Sequence, residues 1–178
     1  MKNESIYIVL SQTGTMLSRL LKFFTGAEFN HASIATNVSL NKMYSFGRIN
    51  AYNPFVGGFV EEGRNTGTFK RFYKTKALVL KVDIDRATYL KIEQMLKYFT
   101  NNKTKFSYNY LGLFLAFFNK DYSPHNRYYC SQFVRACLAS FNIENARTLP
   151  KVIKPIDFLK LTNSKVIYKG SLKNYALV

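Results

Sequence analysis

The chain reads as one α+β domain. Three observations predict this. Short β-branched and aromatic runs alternate with segments of helical periodicity. One of those helical segments is strongly amphipathic and opens on a cysteine. No internal repeat or linker divides the 178 residues, a length that suits a single core across positions 1–178.

Taken in order, Ile6-Tyr7-Ile8-Val9-Leu10 is a strand by composition. Ser11 to Thr15 follows as a loop and helix cap, and Met16 to Phe24 as a short helix with Arg19 and Lys22 on its polar side. Thr25-Gly26 ends it. Phe29 to Thr36 and Lys42 to Arg48 read as the strands of a hairpin, joined by the turn residues Asn37 to Asn41. Residues 49–68, with Pro54 and Gly57-Gly58, read as a long loop or irregular flap, with Phe59 to Glu62 as a short strand within it.

Ala77 to Ile84 is a clear strand. Asp85 caps a helix from Arg86 to about Thr100, with apolar or aromatic residues at 89, 92, 95, 96 and 99. Asn101 to Lys105 breaks it. Tyr108 to Phe118 predicts a largely buried helix, and Asn119 to Asn126 a polar loop. Apolar side chains at 130, 133, 134, 137, 138 and 141 form the stripe of the next helix. Thr148-Leu149-Pro150 and Pro155 bracket a turn, Asp157 starts a short helix to about Leu161, and Lys165 to Lys169 is a last strand.

Composition narrows the function. Hydrophobic residues make up 47% of the chain, enough for a packed core and against disorder. Lys and Arg number 26 against 10 acidic residues, and the net charge of +16 favours anionic company such as a membrane surface, a polymer or nucleic acid. No nucleic-acid motif supports the last of these. The basic residues are spread along the chain, as on a generally basic solvated surface, with mild crowding from Arg64 to Lys81. The apolar run Ile6 to Leu10 is too short for a signal peptide and follows Glu4. The stretch Phe106 to Phe118 falls short of the roughly 20 residues that span a bilayer. A soluble, cytoplasmic protein is the expectation.

Cys130 and Cys137 are the only cysteines. Seven residues apart on one helix, they are separated by roughly 10 Å, too far for a disulfide. Free thiols fit a reducing compartment. No Cys/His spacing suggests zinc, and no metal or organic cofactor is implied. Cys137 lies deeper on the apolar face and reads as core. Cys130 sits in the first turn, where free backbone N–H groups and the helix dipole lower a thiol's pKa. A thiolate there and a histidine elsewhere suffice for nucleophilic catalysis. His31 lies in a strand-like segment. His125, five residues before Cys130 in a polar loop, reads as a surface residue.

These residues carry a resemblance. The order is a strand, a helix, the strand Asn30-His31-Ala32-Ser33-Ile34, then Met43-Tyr44-Ser45-Phe46-Gly47. Much later come Tyr129-Cys130-Ser131-Gln132-Phe133-Val134 and Lys154-Pro155-Ile156-Asp157-Phe158-Leu159. Over residues 5–170 this resembles the circularly permuted papain-fold cysteine hydrolases of the NlpC-type superfamily, near its YiiX-like and lecithin:retinol acyltransferase-like branches. The resemblance implies a small antiparallel sheet packed against a helix with the nucleophilic Cys at its N-terminus. It implies Cys130 as nucleophile and His31 as base. A third residue on the next strand orients the histidine in such enzymes. The aligned position is Ser45, where relatives more often carry a carboxylate or amide, and a serine cannot stabilise an imidazolium by charge. Glu61 or Glu62 is the alternative, only one of which can face the site, and a Cys–His dyad is another.

The implied chemistry is thiolate attack on a carbonyl, an oxyanion met by N–H groups of Cys130 and Ser131 with help from Ser11 or Gln12, and an acyl-enzyme. Cleavage of an amide or peptide-like bond is the first expectation. Acyl transfer or thioester cleavage at the same site is the alternative, as is a non-catalytic basic protein on an anionic membrane or polymer. The substrate range is peptide- or lipid-like acyl groups.

Overall fold

The computed structural model describes residues 3–13, 28–50 and 52–175. The helix expected over Met16–Phe24 lies outside them. The framework is a six-stranded sheet in the order β4-β3-β2-β1-β5-β8, with every neighbouring pair antiparallel. Its strands are β1 (Asn3–Gln12), β2 (His31–Ala35), β3 (Met43–Asn50), β4 (Asn53–Glu62), β5 (Lys76–Asp85) and β8 (Ser164–Ser171). Two short strands, β6 (Ser107–Tyr108) and β7 (Arg127–Tyr128), make a separate parallel pair. Among the described residues the α-helices are α1 (Gly67–Arg71), α2 (Arg86–Asn101), α3 (Tyr110–Ala116) and α4 (Cys130–Ser140). This is the α+β class that the sequence predicts, with a larger sheet.

Alternation along the strands gives the sheet two apolar faces. Ile6, Ile8, Leu10, Ile34, Phe46, Phe59, Leu78 and Leu80 point to one face and meet α2 and α4 through Ile92, Leu96, Phe99, Phe133, Val134 and Leu138. Tyr7, Val9, Ala35, Met43 and Val79 point to the other, under Phe69, Leu172 and Tyr175. Phe46 is the hub of the larger cluster, with its ring centroid 5.2–6.5 Å from those of Phe59, Phe99, Phe106, Tyr128 and Phe133. Asp85 caps α2 as expected, accepting from the Thr88 N–H at 2.9 Å. Asp157 accepts from the Lys154 N–H at 2.9 Å and starts a 3-10 turn over Pro155–Lys160.

Two elements differ from expectation. Residues 49–68 are not a flap: most of them belong to a hairpin in which β3 and β4 pair from Met43↔Glu62 to Asn50↔Asn53. Cross-strand hydrogen bonding overrides the poor strand propensity of the glycines, and Gly57 serves close packing. A Cβ there would stand 2.7 Å from the Tyr110 hydroxyl and 2.9 Å from Tyr108 Cβ. The helix expected over Tyr108–Phe118 is shorter and largely exposed. Only Gly112 of α3 is buried, while Leu111, Phe114 and Phe118 face outward. Its composition signals burial, but the core is already closed by α2 and α4.

Candidate active site

The site forms where β2 and β3 part. Their ladder is represented by the pair Ile34↔Tyr44. Toward the start of β2 the backbone groups of Ala32 find other partners. The Ala32 N–H turns to the Cys130 thiol. The Ala32 carbonyl accepts the Ser45 hydroxyl at 2.6 Å. The opening between the strands thus receives the first residue of α4, whose sulfur is 3.9 Å from both Asn30 O and Ser131 Oγ. Gly47 lies against the ring: a Cβ on it would stand 3.4 Å from His31 Cε1, an ordinary van der Waals contact.

α4 starts at Cys130 for local reasons. Tyr129 is the extended N-cap residue, and the Gln132 side chain reaches back to accept its N–H at 3.2 Å. Gln132 is itself held. Its Oε1 accepts from Asn109 at 3.0 Å, and its Nε2 donates to Tyr122 O at 3.2 Å and Ser123 Oγ at 3.1 Å. Asn109 also donates to Tyr122 O at 2.7 Å. This buried amide pair ties the start of α4 to α3 and to the loop before β7. The first N–H groups of α4 have no partner within the helix, so they and the dipole favour negative charge at the sulfur.

His31 opens β2. Its Nε2 stands 3.0 Å from Glu62 Oε2 and 3.2 Å from Oε1. Ser33 braces the carboxylate, donating to Oε2 at 2.8 Å. The two side chains of the pair are only 16% and 12% exposed, so solvent screens them little. With Nε2 committed to Glu62, Nδ1 is the nitrogen left for the thiol, with which the ring also hydrogen-bonds. Burial by itself would lower the imidazole's pKa. The Glu62 charge and the hydrogen bonds to Cys130 and Glu62 outweigh it and raise the value from 6.5 to about 10. Burial likewise opposes ionisation of Cys130, yet His31 pulls its pKa below the ordinary thiol value, helped by the Ala32 N–H and Ser131. Glu62 is held below the usual carboxylate range, because His31 and Ser33 outweigh its burial. The three groups favour the arrangement carboxylate, imidazolium, thiolate.

Ser45, the position aligned with the orienting residue, does not hold the ring. It is fully buried and its hydroxyl is committed to the Ala32 carbonyl. The orienting contact comes from Glu62, one strand further out. Neighbouring Glu61 points the other way and pairs with Lys42 at 2.5 Å. Alternation in sequence shows that only one of the two can face the site, but not which, since that depends on the β3–β4 register.

Cys137 is core: it is 1% exposed and burial pushes its pKa up. His125 is exposed, in a shallow groove with Asp121, Arg135 and Lys151. Ser11 pairs with His31 across the β1–β2 ladder, and its fully buried hydroxyl has no hydrogen-bond partner. Gln132 and Asn109 escaped the sequence reading as site residues. The capping spacing from Tyr129 to Gln132 was the available signal for the first. Among the described residues, no three His, Cys, Asp or Glu side chains converge as metal ligands, and no helix is long and apolar enough to cross a membrane.

Chemically, this arrangement can present a thiolate at a helix N-terminus beside a proton donor. Comparison with protein-family models, with curated proteins and with solved structures found no match for this chain.

Proposed function

We infer that the protein is a thiol hydrolase of permuted papain-like architecture that cleaves an amide or peptide-like bond. One observation carries the reading: Cys130, in the first turn of α4, faces a His31 whose other nitrogen is held by Glu62. In this mechanism the Cys130 thiolate attacks the substrate carbonyl carbon. The electron pair moves to oxygen, and the backbone N–H groups of Cys130 and Ser131 meet the oxyanion. Collapse expels the amine, which takes its proton from the His31 imidazolium, and leaves an acyl group on sulfur. His31 then removes a proton from water as it attacks the thioester, and collapse releases the acid and restores the Cys130 thiolate beside the His31 imidazolium. Glu62 holds the ring and offsets its charge in both halves. If an alcohol or amine replaces water, the same steps give acyl transfer.

The test is the pH dependence of iodoacetamide alkylation, read by mass spectrometry at Cys130 and Cys137 separately, in the native chain and in His31→Ala. Cys130 is expected to label well below the ordinary thiol pKa of about 8.5, to slow on loss of His31, and to outpace Cys137. Labelling of Cys130 only above that value, and indifferent to His31, removes the basis for the hydrolase.

A further inference from the structure

The five most exposed large apolar side chains of the described residues, Phe55, Tyr52, Ile49, Phe118 and Phe114, lie on or beside two neighbouring elements. At the end of the β3–β4 hairpin, Ile49, Tyr52, Phe55 and Val56 are 63%, 77%, 84% and 49% exposed. On α3 Leu111 and Phe114, and just after it Phe118, are 53%, 58% and 62% exposed. Tyr110 joins the two, its hydroxyl standing against Gly57 of the hairpin. Soluble proteins rarely leave so many large rings together in water without a use for them.

The charge around these rings points to what they meet. From Gly63 to Val82 the chain has six basic residues and no acidic one, and from Gln94 to Lys120 four and none. The structure brings parts of both stretches to the hairpin. The Arg71 guanidinium lies 4.0 Å over the Tyr52 ring. Lys103 and Lys105 are exposed on the turn that packs against β4. A second copy of this chain seated here would set like charges against each other, as would any other basic surface. Apolar Phe and aliphatic side chains beside Tyr52 and Tyr110, whose rings end in a polar hydroxyl, rimmed by Lys and Arg, match the boundary of a negatively charged bilayer.

We propose that the β3–β4 hairpin end and α3 together form a docking face for an anionic lipid surface. The rings enter the headgroup–acyl boundary while Arg71, Lys103 and Lys105 meet the lipid phosphates. Tyr108, whose ring lies tilted against that of Tyr110 with centroids 4.7 Å apart, is within electrostatic reach of Cys130 and links this face to the thiol. Docking itself does not require the thiol.

The experiment is co-sedimentation of the full chain with vesicles of phosphatidylcholine alone or mixed with phosphatidylglycerol. The chain is compared with Phe55→Ser/Phe114→Ser and with Cys130→Ala, after circular dichroism has confirmed that each is folded. The native chain and Cys130→Ala are expected to bind the mixed vesicles and to bind phosphatidylcholine poorly. Each lost ring should weaken binding by roughly tenfold. As a second measure, brominated lipids should quench the tyrosine fluorescence of the native chain. Absence of binding, or binding unchanged in the double serine variant, overturns the proposal. A dimer that the same variant dissolves, without vesicle binding, also overturns it and assigns the face to a second copy. Because Cys130→Ala is expected to bind normally, failure of the hydrolase reading leaves this result standing.

Discussion

His31 and Glu62 lie 31 positions apart in sequence, and their side chains meet at 3.0 Å across the site. The contact depends on the β3–β4 register, which pairs Glu62 with Met43 and directs its carboxylate toward β2. A shift of one residue would present Glu61 instead. The pair commits Nε2 of the ring and leaves Nδ1 for Cys130.

Glu62→Gln keeps the shape of that contact and removes its charge. The imidazolium loses its main electrostatic support, so the His31 pKa falls and the Cys130 pKa rises. Alkylation of Cys130 should begin at higher pH. Its rate near neutrality should fall about tenfold for every pH unit by which the midpoint of labelling rises. An unchanged profile would show that Glu62 does not tune the thiol.

Ser45→Ala should behave differently. It leaves the Ala32 carbonyl without its hydroxyl donor in a buried setting, at a cost of roughly 1–3 kcal/mol in urea unfolding. The pH profile of Cys130 labelling should stay where it is. A displacement as large as that of Glu62→Gln would return Ser45 to the role of orienting residue.

The His31–Glu62 pair also gives stability a pH dependence, best measured in Cys130→Ala, where the thiol no longer titrates. Glu62 still raises the folded pKa of His31 in that variant, so its contribution is complete below 6.5 and is lost as pH rises through the folded value. Glu62 has a depressed folded pKa, so its contribution is complete above 4.5 and is lost as pH falls through the folded value. The melting temperature of Cys130→Ala should exceed that of Cys130→Ala/Glu62→Gln most between pH 4.5 and 6.5. A gap that does not vary with pH would mean the pair stays un-ionised.

Phe46→Ala removes the hub of the aromatic cluster beneath the site. The expected loss is about 3–5 kcal/mol, because neighbouring rings on the sheet and on α2 and α4 cannot all collapse into the space. Cys137 should become open to alkylation as α4 loosens. A loss under about 1.5 kcal/mol, the cost of a well-tolerated swap, would show that the cluster repacks freely.

Local chemistry settled much of this protein. The strands at Ile6–Leu10 and Ala77–Ile84, the Asp85 cap, and the helix opening on Cys130 are written in propensity, alternation and capping residues. So are the depth of Cys137 and the rule that Glu61 and Glu62 point apart. Three matters were decided by the tertiary structure. Residues 53–62 form a strand because β3 lends them hydrogen bonds that their glycines and proline do not predict. α3 is exposed because the core closed without it, although its composition matches that of a buried helix. Glu62, rather than Ser45, holds His31 because β2 and β3 part after Ile34↔Tyr44, which commits Ser45 to the freed carbonyl and leaves the ring to the next strand. Each of these depends on which strands lie side by side and in what register, a non-local property that no window of neighbouring residues contains.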